Sequence, residues 1–148
     1  MRLSSLHERT RSRSILSLTW GDWLDFATAT VELGRARLTL RRASVQTMLE
    51  TAIDTPTHAR AYHPHVTIDR VGIAIARACY RVPWRADCLI QALAAQRWLR
   101  RHGIPSRVAI GIRESGANPF EAHAWLISGD TVVTGGDVRD YLPLLPRG

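Results

Sequence analysis

Two side chains in this sequence have the type and the setting for nucleophilic thiol chemistry, and a third is placed to support them. Cys88 follows Pro83-Trp84-Arg85-Ala86-Asp87 and opens a run with helical spacing, Leu89, Ala92, Leu93, Gln96 and Leu99. A thiol at a helix N-terminus meets free N–H groups and the positive end of the helix dipole, which favour the thiolate, the nucleophilic form. A thiolate that attacks a carbonyl needs a base within hydrogen-bond reach and a group that holds that base in one tautomer. His123, within Glu121-Ala122-His123-Ala124-Trp125-Leu126, is the candidate base, flanked by small residues that leave its ring accessible. The third member is an aspartate, Asp137 or Asp130. A three-residue loop Gly129–Thr131 would pair Ser128 with Val132 and set Asp137 opposite His123, whereas a two-residue loop would set Gly136 there and make the reach of Asp137 depend on a bulge. Asp137 is the preferred candidate. The backbone N–H of Cys88 is the natural first donor to an oxyanion.

These residues must be positioned by the elements around them. Pro83 belongs just before a helix, Asp87 is placed to cap it, and Gly103 supplies a left-handed C-terminal cap with Pro105 beyond. Arg107–Arg113 reads as a strand with Val108, Ile110 and Ile112 on one side. Phe120–Ser128 is a second strand, which sends His123 and Trp125 to one face and Ala122 and Ala124 to the other. Gly129-Asp130 is a turn, Thr131–Gly135 a third strand, and Tyr141, Leu142, Leu144 and Leu145 of the tail are apolar residues able to pack back on the body.

Upstream, residues 1–18 are polar and basic and read as a mobile arm. From Thr19 the pattern is helical, with Trp20, Trp23, Leu24, Ala27 and Val31 on one face, Leu33, Ala36, Leu38 and Leu40 carrying the apolar stripe onward, Trp20 and Trp23 assigned to the core, and Gly34 as the point where the segment bends or splits. A docking surface for a partner is the alternative use of Trp20 and Trp23. Ala43–Ile53 reads as a further helical stretch, Thr55–Pro64 as a loop, and Arg70–Arg81 as a helix capped by Asp69. Helices come first and strands later, so the fold class is α+β. The expected organisation is an arm (1–18), an N-terminal helical region (19–66) and a core (67–148) that forms one structural domain with the helical region.

At 148 residues and 45% hydrophobic the chain is long enough for one domain with its own core. The net charge is +7 and all 20 basic residues are arginine. Charge of that sign suits nucleic acid, a membrane surface or an acidic peptide, and does not choose among them. No apolar run has the length of a signal sequence or a bilayer span, so the expected location is cytoplasmic, where Cys79 and Cys88 stay reduced thiols. Cys79 reads as a small buried apolar residue. His58, His63 and His65 lack the spacing of a metal set, so neither metal nor cofactor is expected. Arg97, Arg100 and Arg101 read as a solvated helix face.

The order and content of several motifs carry a resemblance. Val82-Pro83-Trp84-Arg85, Cys88-Leu89 with its Ala-rich helix, Arg100-Arg101-His102-Gly103-Ile104-Pro105, Ile110-Gly111-Ile112-Arg113 and Phe120-Glu121-Ala122-His123-Ala124-Trp125 together are similar to the lasso peptide biosynthesis leader peptidases, transglutaminase-like cysteine proteases of bacteria. The similarity runs from about Asp69 to Val138. It implies a transglutaminase/papain-like core and a Cys-His-Asp triad at Cys88, His123 and Asp137. In several members the acid falls where this chain has Gly135 or Gly136. The implied activity is removal of the leader from a ribosomally made precursor, with a separate leader-binding protein and a cyclase as partners, since the length leaves no room for a fused leader-binding domain. Two other functions compete: acyl transfer on the same fold, and a basic nucleic-acid-binding module in which Gly103 would be the turn of a helix-turn-helix.

Overall fold

A computed structural model describes residues 19–42, 64–115 and 118–144. The elements run α1 (Trp20–Arg42), α2 (Pro64–Cys79), α3 (Cys88–Arg101), β1 (Arg107–Ser115), β2 (Asn118–Ser128), β3 (Thr131–Thr134) and β4 (Leu142–Pro143). The four strands form one antiparallel sheet in the order β3-β2-β1-β4. This is the expected α+β class. The arm at 1–18 and the stretch Ala43–Ile53 lie outside the described residues, as does all but the last residue of the Thr55–Pro64 loop.

The helix α1 begins in a capping box. The Asp22 amide donates to Thr19 Oγ1 (3.3 Å), and the Thr19 amide donates back to Asp22 Oδ2 (2.9 Å). Its buried face takes Leu33, Ala36 and Leu40 from the apolar stripe the sequence indicated and leaves the rest of that stripe outside. Ala29, Leu33 and Ala36 are inside, with Phe26 and Leu40 packed against them, while Trp20 (86% exposed), Trp23, Leu24, Val31 and Leu38 face outward. The helix has an apolar stripe on each of two opposite sides, so periodicity alone does not say which one meets the core. Trp20 and Trp23 are therefore not core residues. Gly34 lies inside one continuous helix, with the Trp84 ring over it.

The helix α2 starts six residues before the predicted Arg70. Pro64 takes the first helical position, where its missing N–H costs nothing, and Asp69 lies within the helix rather than capping it. Ile68, Val71, Ala74, Ile75 and Ala78 are buried at helical spacing. Gly72 permits a close approach to β3, because a Cβ there would stand 2.7 Å from the Val133 carbonyl oxygen.

The helix α3 ends as its sequence predicts. Gly103 has φ +69, Ile104 N–H donates to the Leu99 carbonyl (3.0 Å) and Gly103 N–H to that of Arg100 (3.0 Å), with Leu99 and Ile104 both buried. The chain beyond Gly103 enters β1 and not a second helix, which removes the helix-turn-helix reading. The arginines of α3 are not simply a solvated face. Arg97 (3.3 Å) and Arg101 (2.8 Å), with Arg35 (3.0 Å), surround the carboxylate of Glu32, which is 1% exposed on α1. Burial of that carboxylate is tolerable because three guanidiniums replace its hydration, and the cluster ties α1 to α3.

The pairing of β1 with β2 sets Val108 opposite Leu126, Ala109 opposite Trp125, Gly111 opposite His123 and Arg113 opposite Glu121. Paired residues share a face. Val108 and Leu126 join the helices in the core, and His123 therefore lies on the other face with Glu121 and Trp125.

Candidate active site

The tail of the chain covers the face that bears His123. The hairpin between β2 and β3 uses the two-residue turn Gly129-Asp130, with Ser128 opposite Thr131, rather than the three-residue loop that would favour Asp137. A bulge comes next, since Ile127 pairs with Val132 and Leu126 with Thr134. Gly135 (φ +108) and Gly136 (φ +69) then turn the chain off the sheet. The Gly135 carbonyl arrives 2.8 Å from His123 Nε2. A carbonyl oxygen only accepts, so Nε2 carries the proton, and in the neutral ring Nδ1 holds the free lone pair.

Asp137 lies past this turn, and its carboxylate is engaged by Arg139 through the guanidinium (Nε at 2.9 Å) and the backbone amide (3.2 Å). These hydrogen bonds hold its pKa down to about 2. The structure thus places a backbone carbonyl on the imidazole and places the Asp137 carboxylate on Arg139. Asp130 sits at the exposed hairpin tip.

Aromatic rings enclose the imidazole. Tyr141 packs at 4.9 Å between centroids and Trp125 stacks at 6.2 Å, with 25° between planes. Trp125 is 4% exposed. Gly111 makes room for it, because a Cβ at 111 would lie 2.7 Å from the indole and 2.8 Å from the Leu142 carbonyl oxygen of β4. Tyr141 Oη donates to Glu121 Oε1 (3.2 Å), and Arg113 donates to Glu121 Oε2 from Nε (2.9 Å) and Nη2 (2.7 Å). Arg113 also stands 4.9 Å over the Tyr141 ring. The Arg113 hydrogen bonds hold the Glu121 carboxyl below its usual range.

Cys88 is the first residue of α3 and is half-buried. Asp87 occupies the cap position without a side-chain cap, its carboxylate turned to Arg85 (3.5 Å). The first intrahelical bond runs from the Gln91 amide to the Asp87 carbonyl (3.0 Å), so the amides of Cys88, Leu89 and Ile90 have no partner within the helix. Tyr141 is a neighbour of the imidazole. Its phenol is pushed above its ordinary range chiefly by burial, then by the bond to Glu121, with a smaller contribution from the charge of Cys88. Cys79, the other free thiol, closes α2 half-buried and donates to the Ala76 carbonyl (3.1 Å), and burial raises its pKa. Among the described residues there is no cluster able to hold a metal ion, and no helix is long and apolar enough to cross a membrane.

Glu121, Arg113, Gly111, Gly135 and Tyr141 were not singled out from the sequence as site residues. Two of them carried a signal. Glu121 is two positions from His123, hence on the same strand face, and the Gly135-Gly136 pair marks a sharp change of direction.

The fold thus carries a thiol at a helix start and, on an antiparallel strand, an imidazole whose Nε2 is fixed. The chain belongs to the transglutaminase-like superfamily, whose family model matches residues 27–145. No curated protein and no solved structure shows significant similarity to it.

Proposed function

We infer that this chain is a cysteine peptidase that removes the leader from a lasso peptide precursor. The observation that carries this is the His123 ring, held through Nε2 by the Gly135 carbonyl so that Nδ1 is the nitrogen left to take a proton. The superfamily and the order of the motifs around Cys88 and His123 supply the rest of the support. In this reading Nδ1 accepts the thiol proton while Cys88 Sγ bonds to the carbonyl carbon at the end of the leader. The Cys88 amide donates to the oxyanion. The C–N bond breaks as Nδ1–H gives its proton to the departing amine of the core peptide, leaving a thioester. Water then adds to the thioester, its proton goes to Nδ1, and the thiolate leaves.

Asp137 is the acidic third member in this proposal. Its carboxylate, bonded to Arg139, lies two residues past the Gly135 whose carbonyl meets the ring. The partners are the precursor, a separate leader-binding protein and a cyclase, in the cytoplasm. Remote contacts along the leader place the scissile bond. The test is cleavage of a precursor by the chain with its leader-binding partner. Cys88→Ala abolishes cleavage if the proposal holds, and cleavage at the unmodified rate overturns it. Product mass separates hydrolysis, which adds water, from transfer, which adds an amine acceptor.

A further inference from the structure

We propose that Tyr141 is a positioning residue for His123, clamped in that role by Glu121 and Arg113. The inference rests on the reading of Cys88 and His123 as a reacting pair. Among the described residues the imidazole has one in-plane tether, the Gly135 carbonyl on Nε2, and a single hydrogen bond leaves the ring free to rock about that axis. Tyr141 packs against it at 4.9 Å with 35° between planes, and Trp125 limits the ring from β2 itself.

Tyr141 comes from the short segment before β4, a two-residue edge strand whose Leu142 is 73% exposed, so its backbone alone is a weak anchor. Three contacts supply the stiffness. The phenol donates to Glu121 Oε1, Arg113 fixes the other oxygen of Glu121 with two hydrogen bonds, and the same guanidinium lies over the phenol ring. The clamp joins β2, β1 and the tail, and Arg113 and Tyr141 are both hydrogen-bonded to Glu121, so a change at any of the three is felt at the imidazole.

The charge balance suits this role. Glu121 on β2 and Arg113 on β1 neutralise each other beside the ring. Tyr141 stays an uncharged phenol, its pKa raised by burial, so it adds no anion beside the imidazole. Its ring can therefore hold the imidazole without competing for its positive charge.

The experiment is alkylation by iodoacetamide, followed on the Cys88 peptide by mass spectrometry so that Cys79 is counted separately. Rates are measured from pH 5 to 9 for the full chain and its His123→Ala, Tyr141→Leu and Tyr141→Phe variants, each checked for folding by circular dichroism. The His123→Ala variant reads the pair itself, with an expected loss at pH 6 of about a hundredfold once the base is removed. Tyr141→Leu is expected to lose about tenfold at pH 6. Tyr141→Phe keeps the ring and loses only the bond to Glu121, and is expected to lose about threefold. Unchanged rates in both Tyr141 variants with a large loss in His123→Ala overturn the positioning role alone. An unchanged rate in His123→Ala overturns the reacting pair and this proposal with it. Where Tyr141→Leu does not fold, Tyr141→Phe decides, and its equality with the unmodified chain is the refuting result.

Discussion

Replacing Gly135 with alanine probes the one hydrogen bond seen to fix the imidazole. The residue has φ +108, a region that a side chain enters at a cost of about 1–3 kcal/mol. The added methyl would fall well inside van der Waals contact of Trp125 Cβ, 3.2 Å from Trp125 Cα and 3.3 Å from His123 Nε2. Two of those atoms belong to the rigid part of β2 and do not swing aside, so overpacking adds about 1–3 kcal/mol. The total is about 2–6 kcal/mol, a fall in melting temperature of roughly 6–19 °C for a domain of this size. Gly136→Ala is the control. That position also has a positive φ, +69, but nothing stands within 4 Å of its Cβ, so only the backbone cost of about 1–2 kcal/mol applies. Urea denaturation of the two variants measures the difference, and iodoacetamide reactivity of Cys88 reports whether the carbonyl has moved off the ring. Gly135→Ala is expected to lose more on both counts. Equal stabilities, with Cys88 reactivity unchanged in both, would show that the Gly135 carbonyl does not set the imidazole.

Gly72 and Gly34 are both inside helices, yet alanine should act on them with opposite signs. At Gly34 the nearest atom is Trp84 Cζ2 at 3.9 Å, ordinary contact, so the helix gains about 0.5–1 kcal/mol; at Gly72 the Val133 carbonyl at 2.7 Å must be pushed away, and the expected loss is about 1–3 kcal/mol. Thermal melts of the two single variants check both signs, and a stabilised Gly72→Ala would mean that β3 does not lie against α2. The depressed pKa of Asp137 makes a pH prediction. A carboxyl titrating at about 2 when folded and near 3.9 when unfolded stabilises the fold fully above about pH 4, and that contribution is lost as pH falls toward 2. The stability difference between the chain and its Asp137→Asn variant should therefore shrink on acidification through that window, and a difference independent of pH would contradict the pairing with Arg139.

The features that the sequence could determine were local. Asp87, Cys88 and the Leu99–Pro105 stop define α3 through rules that operate within a few residues, and the alternation at Val108–Ile112 and Ala122–Trp125 defines the faces of two strands. Cys88 at a helix start and His123 beside Trp125 on a strand face were legible for that reason. The outward side of α1 was not, because both of its stripes are apolar and only packing against α2 and α3 selects between them. The acceptor on His123 was equally hidden. A one-residue bulge after a two-residue turn, then two glycines at positive φ, decide which atom meets the imidazole, and a backbone carbonyl has no residue type by which to be recognised. Tyr141 reaches the ring only because β4 pairs with β1 across the sheet, a contact between distant parts of the chain that tertiary structure alone creates.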